Sequence, residues 1–239
     1  TPTPAPITLT VSPSNVQGWA VQTGTCDVAN TSTGTFVFGP ATPPLGVGSF
    51  RMTTGTDGNS FFIYRNTAFD GVLTSQLTSL SYSTYVTTYI DSQAIAVNLR
   101  IDTDGDNIPD DTLWFEPAYQ DATYFPSNPQ ATLITGSWQT WNALAGGWYT
   151  DNGAAGSGPG TNVKSLATIL AALPAGTKIA PNGALGGLRL YSGCGPGSWD
   201  NFDGNVDALT VGVTSAAETT YDFDADPIPK PTPTQEPTQ

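Results

Sequence analysis

The chain has 239 residues, 20 of them acidic and 7 basic, a net charge of −13 and no histidine. Without histidine, Ser-His-Asp and Cys-His nucleophilic catalysis and histidine-ligated zinc are excluded. The cations Arg51, Arg65, Arg100, Lys164, Lys178, Arg189 and Lys230 are scattered singly, with no basic run to neutralise phosphates, so nucleic acid is not an expected partner.

Length and composition suit one large all-β domain: 26 Gly, 20 Pro and only 11% charged residues. Thr1 to Pro6 alternates proline and reads as an extended arm. Ile7 to Val11 alternates apolar and polar residues and reads as a strand, ended at Ser12-Pro-Ser-Asn15. Strands follow at Trp19–Gln22 and Thr35–Phe38, the latter stopped by Gly39-Pro40. Ser49–Thr54 and Ser60–Arg65 read as a hairpin around Asp57-Gly58, because Asp-Gly between strands favours a tight turn. Further strands are expected at Leu77–Val86, Ile95–Ile101 and Leu113–Phe115. Ser165 caps a short helix with Leu166, Ile169, Leu170 and Leu173 on one face and Pro174 as its stop. Leu185–Tyr191, Val206–Val213 and Thr219–Phe223 complete the strands. From Asp226 the chain is Pro/Thr-rich to its last residue, a linker or tail composition.

Short strands, Gly/Pro turns and one helix predict a two-sheet antiparallel β-sandwich of jelly-roll type over residues 7–225, flanked by arms 1–6 and 226–239. No run of about 18 apolar residues is present, so no transmembrane helix is expected. Cys26 and Cys194 are expected to form one disulfide in an oxidising compartment. A chain numbered from Thr1, with few charges and many Thr, Ser and Gly, fits a processed, secreted product. Asn30-Thr-Ser32 is a formal glycosylation sequon, and the threonines of the arms are candidates for O-glycosylation.

Three clusters carry candidate chemistry. Asp102, Asp104, Asp106 and Asp110 fall in one acidic loop, whose oxygens suit a hard cation such as calcium; as a turn between strands the same residues need no ion. The loop resembles the calcium loops of thrombospondin type 3 repeats. It departs from the EF-hand pattern, with Gly105 at the fourth position and Leu113 at the twelfth. Asp200, Asp203 and Asp207 form a second acidic group, read either as a cation site or as turn caps. Trp138, Trp141, Trp148 and Tyr149, with Asn142, Asp151 and Asn152, suggest glycan binding, with Trp148, Tyr149 and Asn152 as its exposed part. Enzyme chemistry is not expected: there are only three Glu residues (Glu116, Glu218, Glu236) and no glycine-rich phosphate loop.

Ser12-Pro-Ser-Asn-Val-Gln-Gly-Trp19, Phe38-Gly-Pro-Ala-Thr-Pro-Pro-Leu-Gly46, Trp138-Gln-Thr-Trp141, Phe202-Asp-Gly-Asn-Val-Asp207 and Thr220-Tyr-Asp-Phe223 follow one another in an order that resembles an extracellular domain of secreted multidomain proteins of filamentous and Gram-positive bacteria. More loosely, the closing strand is similar to the last strand of jelly-roll carbohydrate-binding modules. The resemblance implies a secreted sandwich module and carries no catalytic residue.

Two non-enzymatic readings follow. One is a structural or adhesive subunit that polymerises with other copies of itself, Ile7, Leu9 and Val11 adding as a strand to a neighbour's sheet. The other is a calcium-stabilised module that binds extracellular polysaccharide.

Overall fold

The computed structural model describes residues 4–26, 31–56, 58–183, 186–195 and 197–226. Fifteen strands and one α-helix are present among them: β1 (Ile7–Val11), β2 (Trp19–Thr25), β3 (Thr33–Phe38), β4 (Gly48–Thr53), β5 (Ser60–Asn66), β6 (Leu77–Thr88), β7 (Ala96–Asp102), β8 (Asp111–Phe115), β9 (Trp138–Asn142), β10 (Gly147–Thr150), β11 (Lys164–Ser165), α1 (Leu166–Ala172), β12 (Lys178–Ile179), β13 (Leu188–Gly193), β14 (Asp203–Val213) and β15 (Thr219–Phe223). They form the expected all-β two-sheet sandwich. One sheet runs β1-β15-β14-β4-β3, with β6 and β9 joined to it through β14; the other runs β11-β10-β8-β7-β13-β5-β2, with β12 on β7. All ladders are antiparallel except β1 on β15.

Alternation along each strand builds the core. In Val97-Asn-Leu-Arg-Ile101 the three apolar residues join the buried cluster while Asn98 and Arg100 point to the other face. The layers meet on aromatic rings: Phe50 stacks on Tyr64 at 4.2 Å, Tyr64 on Trp19 at 5.1 Å, and Trp19 meets Tyr221 edge-on at 5.4 Å. These rings explain why the expected hairpin between Ser49–Thr54 and Ser60–Arg65 does not form. β4 pairs β3 and β14 in one sheet, and β5 pairs β2 and β13 in the other, so the two strands face each other across the core. Phe50 and Met52 of β4 and Phe62 and Tyr64 of β5 alternate inward, and burying them between layers removes more apolar surface from water than a hairpin would. Asp57 of the expected turn lies outside the described residues.

β14 is the hub of its sheet. β6 covers one edge along most of its length; the other edge is shared by β4 at Asp203–Val206 and β15 at Leu209–Val211. Val206 and Leu209 are three apart, and plain alternation would send them to opposite faces. A register shift between Asp207 and Thr210, with Ala208 at φ 53°, returns both to the core. The Asp207 carboxylate sits at the fork, accepting from Leu45 N at 2.9 Å and Phe223 N at 3.0 Å.

α1 begins where expected: Ser165 Oγ accepts from Thr168 N at 3.2 Å, and Leu166 and Ile169 are buried. The disulfide between Cys26 and Cys194 is present, with Cα atoms 5.8 Å apart. Both cysteines are held at the start of β5, Cys26 N donating to Asn59 O and Cys194 N to Ser60 O. No helix among the described residues is long and apolar enough to cross a membrane.

Candidate functional site

On the outer face of the eight-stranded sheet, β8 and β10 lie side by side with Tyr149 opposite Trp114. Their inward residues, Leu113, Phe115, Trp148 and Thr150, are buried, so Trp114, Glu116 and Tyr149 point outward. β13 adds Tyr191 to the same face. The rings form a frame: Trp114 and Tyr149 are near-parallel at 6.3 Å and 10°, and Tyr191 meets Trp114 edge-on at 4.9 Å. Two carboxylates fix the frame. Asp151 Oδ1 accepts from Trp114 Nε1 at 2.8 Å, and Glu116 Oε1 accepts from the Tyr149 hydroxyl. The resulting cleft, lined also by Ala96, Gly193, Cys194 and Trp199, has a volume of about 210 Å³. That is below the ~300 Å³ lower end of pockets for drug-sized ligands and suits a group the size of one sugar ring.

Burial pushes the Glu116 carboxyl up, against the pull of the Tyr149 hydrogen bond. The Tyr191 hydroxyl rises to about 12, first through burial and then through Glu116 and Asp151, with Arg189 pulling the other way. The cleft therefore presents neutral phenols and flat rings beside two carboxylate acceptors, the combination that sugar C–H faces and hydroxyls require.

The expected glycan residues are only partly here. Trp148 is corrected: it is 0% exposed, its Nε1 donates to Ala143 O at 2.7 Å, and its ring tilts against Phe115. Strand alternation turns it inward because Tyr149 faces out, so it offers no stacking surface. Tyr149 lines the cleft. Asn152 is exposed and donates through Nδ2 to Asp110 O at 3.1 Å, outside the cleft lining. Trp141 is fully buried, donating to Thr84 Oγ1 at 2.8 Å, and Trp138 packs edge-on against Tyr85 in the other sheet. Trp114 and Tyr191 were missed by the sequence reading. The signal was there as Thr112-Leu-Trp-Phe-Glu116 and Leu188-Arg-Leu-Tyr191, each with one apolar and one polar-aromatic face, but neither segment says which strands stand beside it.

The acidic loop joins β7 to β8. Carboxylate oxygens of Asp102, Asp104 and Asp106 lie within 4.8 Å of one another. Asp110, expected as a fourth ligand, is corrected: its Oδ2 accepts from Thr103 N at 2.7 Å and Thr103 Oγ1 at 2.8 Å, outside that group. Asp102 is buried and accepts from Gly105 N at 2.6 Å and Asn107 N at 2.9 Å, with Lys178 Nζ 3.3 Å away. Burial alone would raise its carboxyl; these N–H groups and Lys178 outweigh burial and hold it below the usual range. The second acidic group does not converge. Asp203 makes a bidentate pair with Arg51 at 2.7 Å, Asp200 accepts from Gly197 N, and Asp207 holds the β14 fork.

The arms divide. Ile7, Leu9 and Val11 pair within their own chain, opposite Thr219, Tyr221 and Phe223 of β15. Pro4 to Pro6 line a cleft of about 620 Å³ with Thr78 and the β14–β15 turn. Thr1 to Thr3, Asn30 of the sequon and residues 227–239 lie outside the described residues. No protein-family model matches the chain, and no curated protein sequence is similar to it.

Proposed function

We propose that the protein is an extracellular, non-catalytic glycan-binding sandwich module, with the Trp114–Tyr149–Tyr191 cleft as its sugar site. The observation that carries the proposal is the ring frame itself: three rings on one sheet face, two of them locked by carboxylates. Isolated surface rings are ordinary, whereas rings oriented by hydrogen bonds and opening on a cleft are arranged to receive something flat. The disulfide is compatible with a secreted location. Calcium belongs to the proposal as a structural ion on Asp102, Asp104 and Asp106, where it would displace or sit beside the Lys178 ammonium.

The test is a glycan array on the full chain, followed by calorimetry on the best binder. Trp114→Ala is expected to weaken binding about tenfold or more, as loss of a stacking ring at the centre of a site does. Mass spectrometry of the incubated glycan is expected to find it uncleaved; cleavage would assign Glu116 and Asp151 to catalysis. Calcium is expected to raise the melting temperature of the wild type, and not of Asp104→Asn/Asp106→Asn. An array with no hit, or Trp114→Ala without effect, overturns the glycan site.

One observation favours the polymer subunit as a second reading. β1 is the edge strand of its sheet, with Ile7 45% exposed and its only ladder on β15 among the described residues. The same register on β15 accommodates a β1 donated by a neighbouring copy.

A further inference from the structure

Resting on the glycan-binding reading above, we propose that the ligand is an acidic glycan, one whose sugar rings carry carboxylates, held by Arg65, Arg100, Arg189 and Asn98 beside the Trp114 cleft. The ladder puts these residues together. Arg189 on β13 stands opposite Arg65 on β5 and Asn98 on β7, and Asn98 stands opposite Trp114 on β8. Arg100 is two residues beyond Asn98 on β7 and so shares its face. Three of the seven cations, far apart in the sequence, thus meet on one face of a chain whose net charge is −13. Like charges on opposed strands repel, so this grouping works against the fold when nothing anionic is bound.

The existing partners do not neutralise Arg65 and Arg100. The two ion pairs among the described residues, Arg51–Asp203 and Lys178–Asp102, leave out Arg65 and Arg100. The Nε atoms of Arg65 and Arg100 are buried without a hydrogen-bond partner, and Arg100 otherwise reaches only Thr112 Oγ1 at 3.3 Å. Asp70 acts on Arg65 electrostatically but forms no ion pair with it. Asn98 is the sharper observation. It is 0% exposed, and neither its Oδ1 nor its Nδ2 has a partner. A buried amide with both ends unmet is costly, and such groups mark places where a ligand or ordered water completes the hydrogen bonding.

The chemistry selects the ligand. Guanidinium groups take carboxylates with paired hydrogen bonds, and an amide beside them accepts from and donates to a neighbouring hydroxyl. Trp114 and Tyr191 supply the ring surface. Glu116 and Asp151 line the Trp114 cleft and the arginines do not, so a carboxylate is repelled from the cleft itself and directed to the neighbouring arginines, while hydroxyls find acceptors in the cleft. A carboxylate, hydroxyls and a flat C–H face together describe a uronic acid.

The experiment titrates the full chain with galacturonate, glucuronate, mannuronate and guluronate oligosaccharides and with their carboxyl-reduced, neutral counterparts. At least one acidic oligomer is expected to bind about tenfold tighter than its neutral counterpart, as a charge-assisted contact added to a common ring contact does. Added salt weakens that binding, and Arg65→Gln/Arg100→Gln brings it to the level of the neutral glycan. Equal binding of acidic and neutral forms, with Trp114→Ala weakening both, overturns the acidic assignment and leaves the glycan site standing. Binding of neither form, here and on the array, overturns both. Should the double variant not fold, the Asn98 side-chain amide signals of the wild type decide by NMR: a shift with the acidic oligomer alone supports the assignment, and no shift overturns it.

Discussion

Asp70, Asp102 and Asp207 are three carboxylates with opposite consequences for stability. Burial lifts Asp70 to about 6, with Arg65 pulling it down, and lifts Asp207 to about 7 against the N–H groups it holds. Both folded values lie above the ordinary 3.8, so the stability tied to their protonated forms is present in acid and lost as pH rises through those values. Asp102 is held below 3.8, so its contribution is present above the ordinary value and lost as pH falls through the folded one. Together they place the maximum of stability near the ordinary carboxylate value of 3.8, with a decline from there toward neutrality. Scanning calorimetry from about pH 3 to 8 checks this, and Asp70→Asn is expected to flatten part of the decline between 3.8 and about 6; a melting temperature that rises steadily to pH 8 would contradict it. The roles of these residues were unequally legible. Asp102 stands in an acidic loop that the sequence displays openly. Asp207 looked like one member of a cation cluster, because nothing in the sequence says that β4 and β15 part company beside it. Asn98, between Val97 and Leu99, is visible as an outward residue, yet its missing partners depend on three other strands.

Strand alternation was legible in most elements with one apolar face, since period-two patterning follows from the pleat alone, though β10 was not among the expected strands. Pairing was not legible, since the same alternation serves a hairpin and two strands facing each other across a core. β4 and β5 took the second course because Phe50 and Met52 meet Phe62 and Tyr64 between the layers. β10 shows the other ambiguity: Trp148 and Tyr149 are adjacent, one must face in, and only the packing against Phe115 decides which. The disulfide ties the ends of β2 and β13, which flank β5 on its two sides, and closes a loop with a sequence separation of 168. In the chain-entropy account, Cys26→Ser/Cys194→Ser costs about 5 kcal/mol. Urea unfolding of the variant against the wild type measures the cost, and a loss below about 1 kcal/mol would mean that the β2–β5–β13 ladder is sufficient without it.

At the scale of the whole molecule, the chain's own β15 occupies the partner role that a polymer would give to a neighbour's sheet. A monomer is therefore expected by light scattering and by electron microscopy of the native material. A repeating fibre, abolished by Leu9→Pro, would establish the filament reading in its place. The sequence by itself determined the sandwich, the single helix with its Ser165 cap, the disulfide partner and the acidic loop, because each rests on composition, local periodicity or the absence of any alternative cysteine. The tertiary structure decided which strands are neighbours, and with that everything about the binding face. Arg65, Asn98, Trp114, Tyr149 and Arg189 are dispersed along the chain, yet they form one row across the sheet. Scattered cations become a cationic face only when register brings them side by side, and register is set by long-range burial that no local stretch of sequence contains.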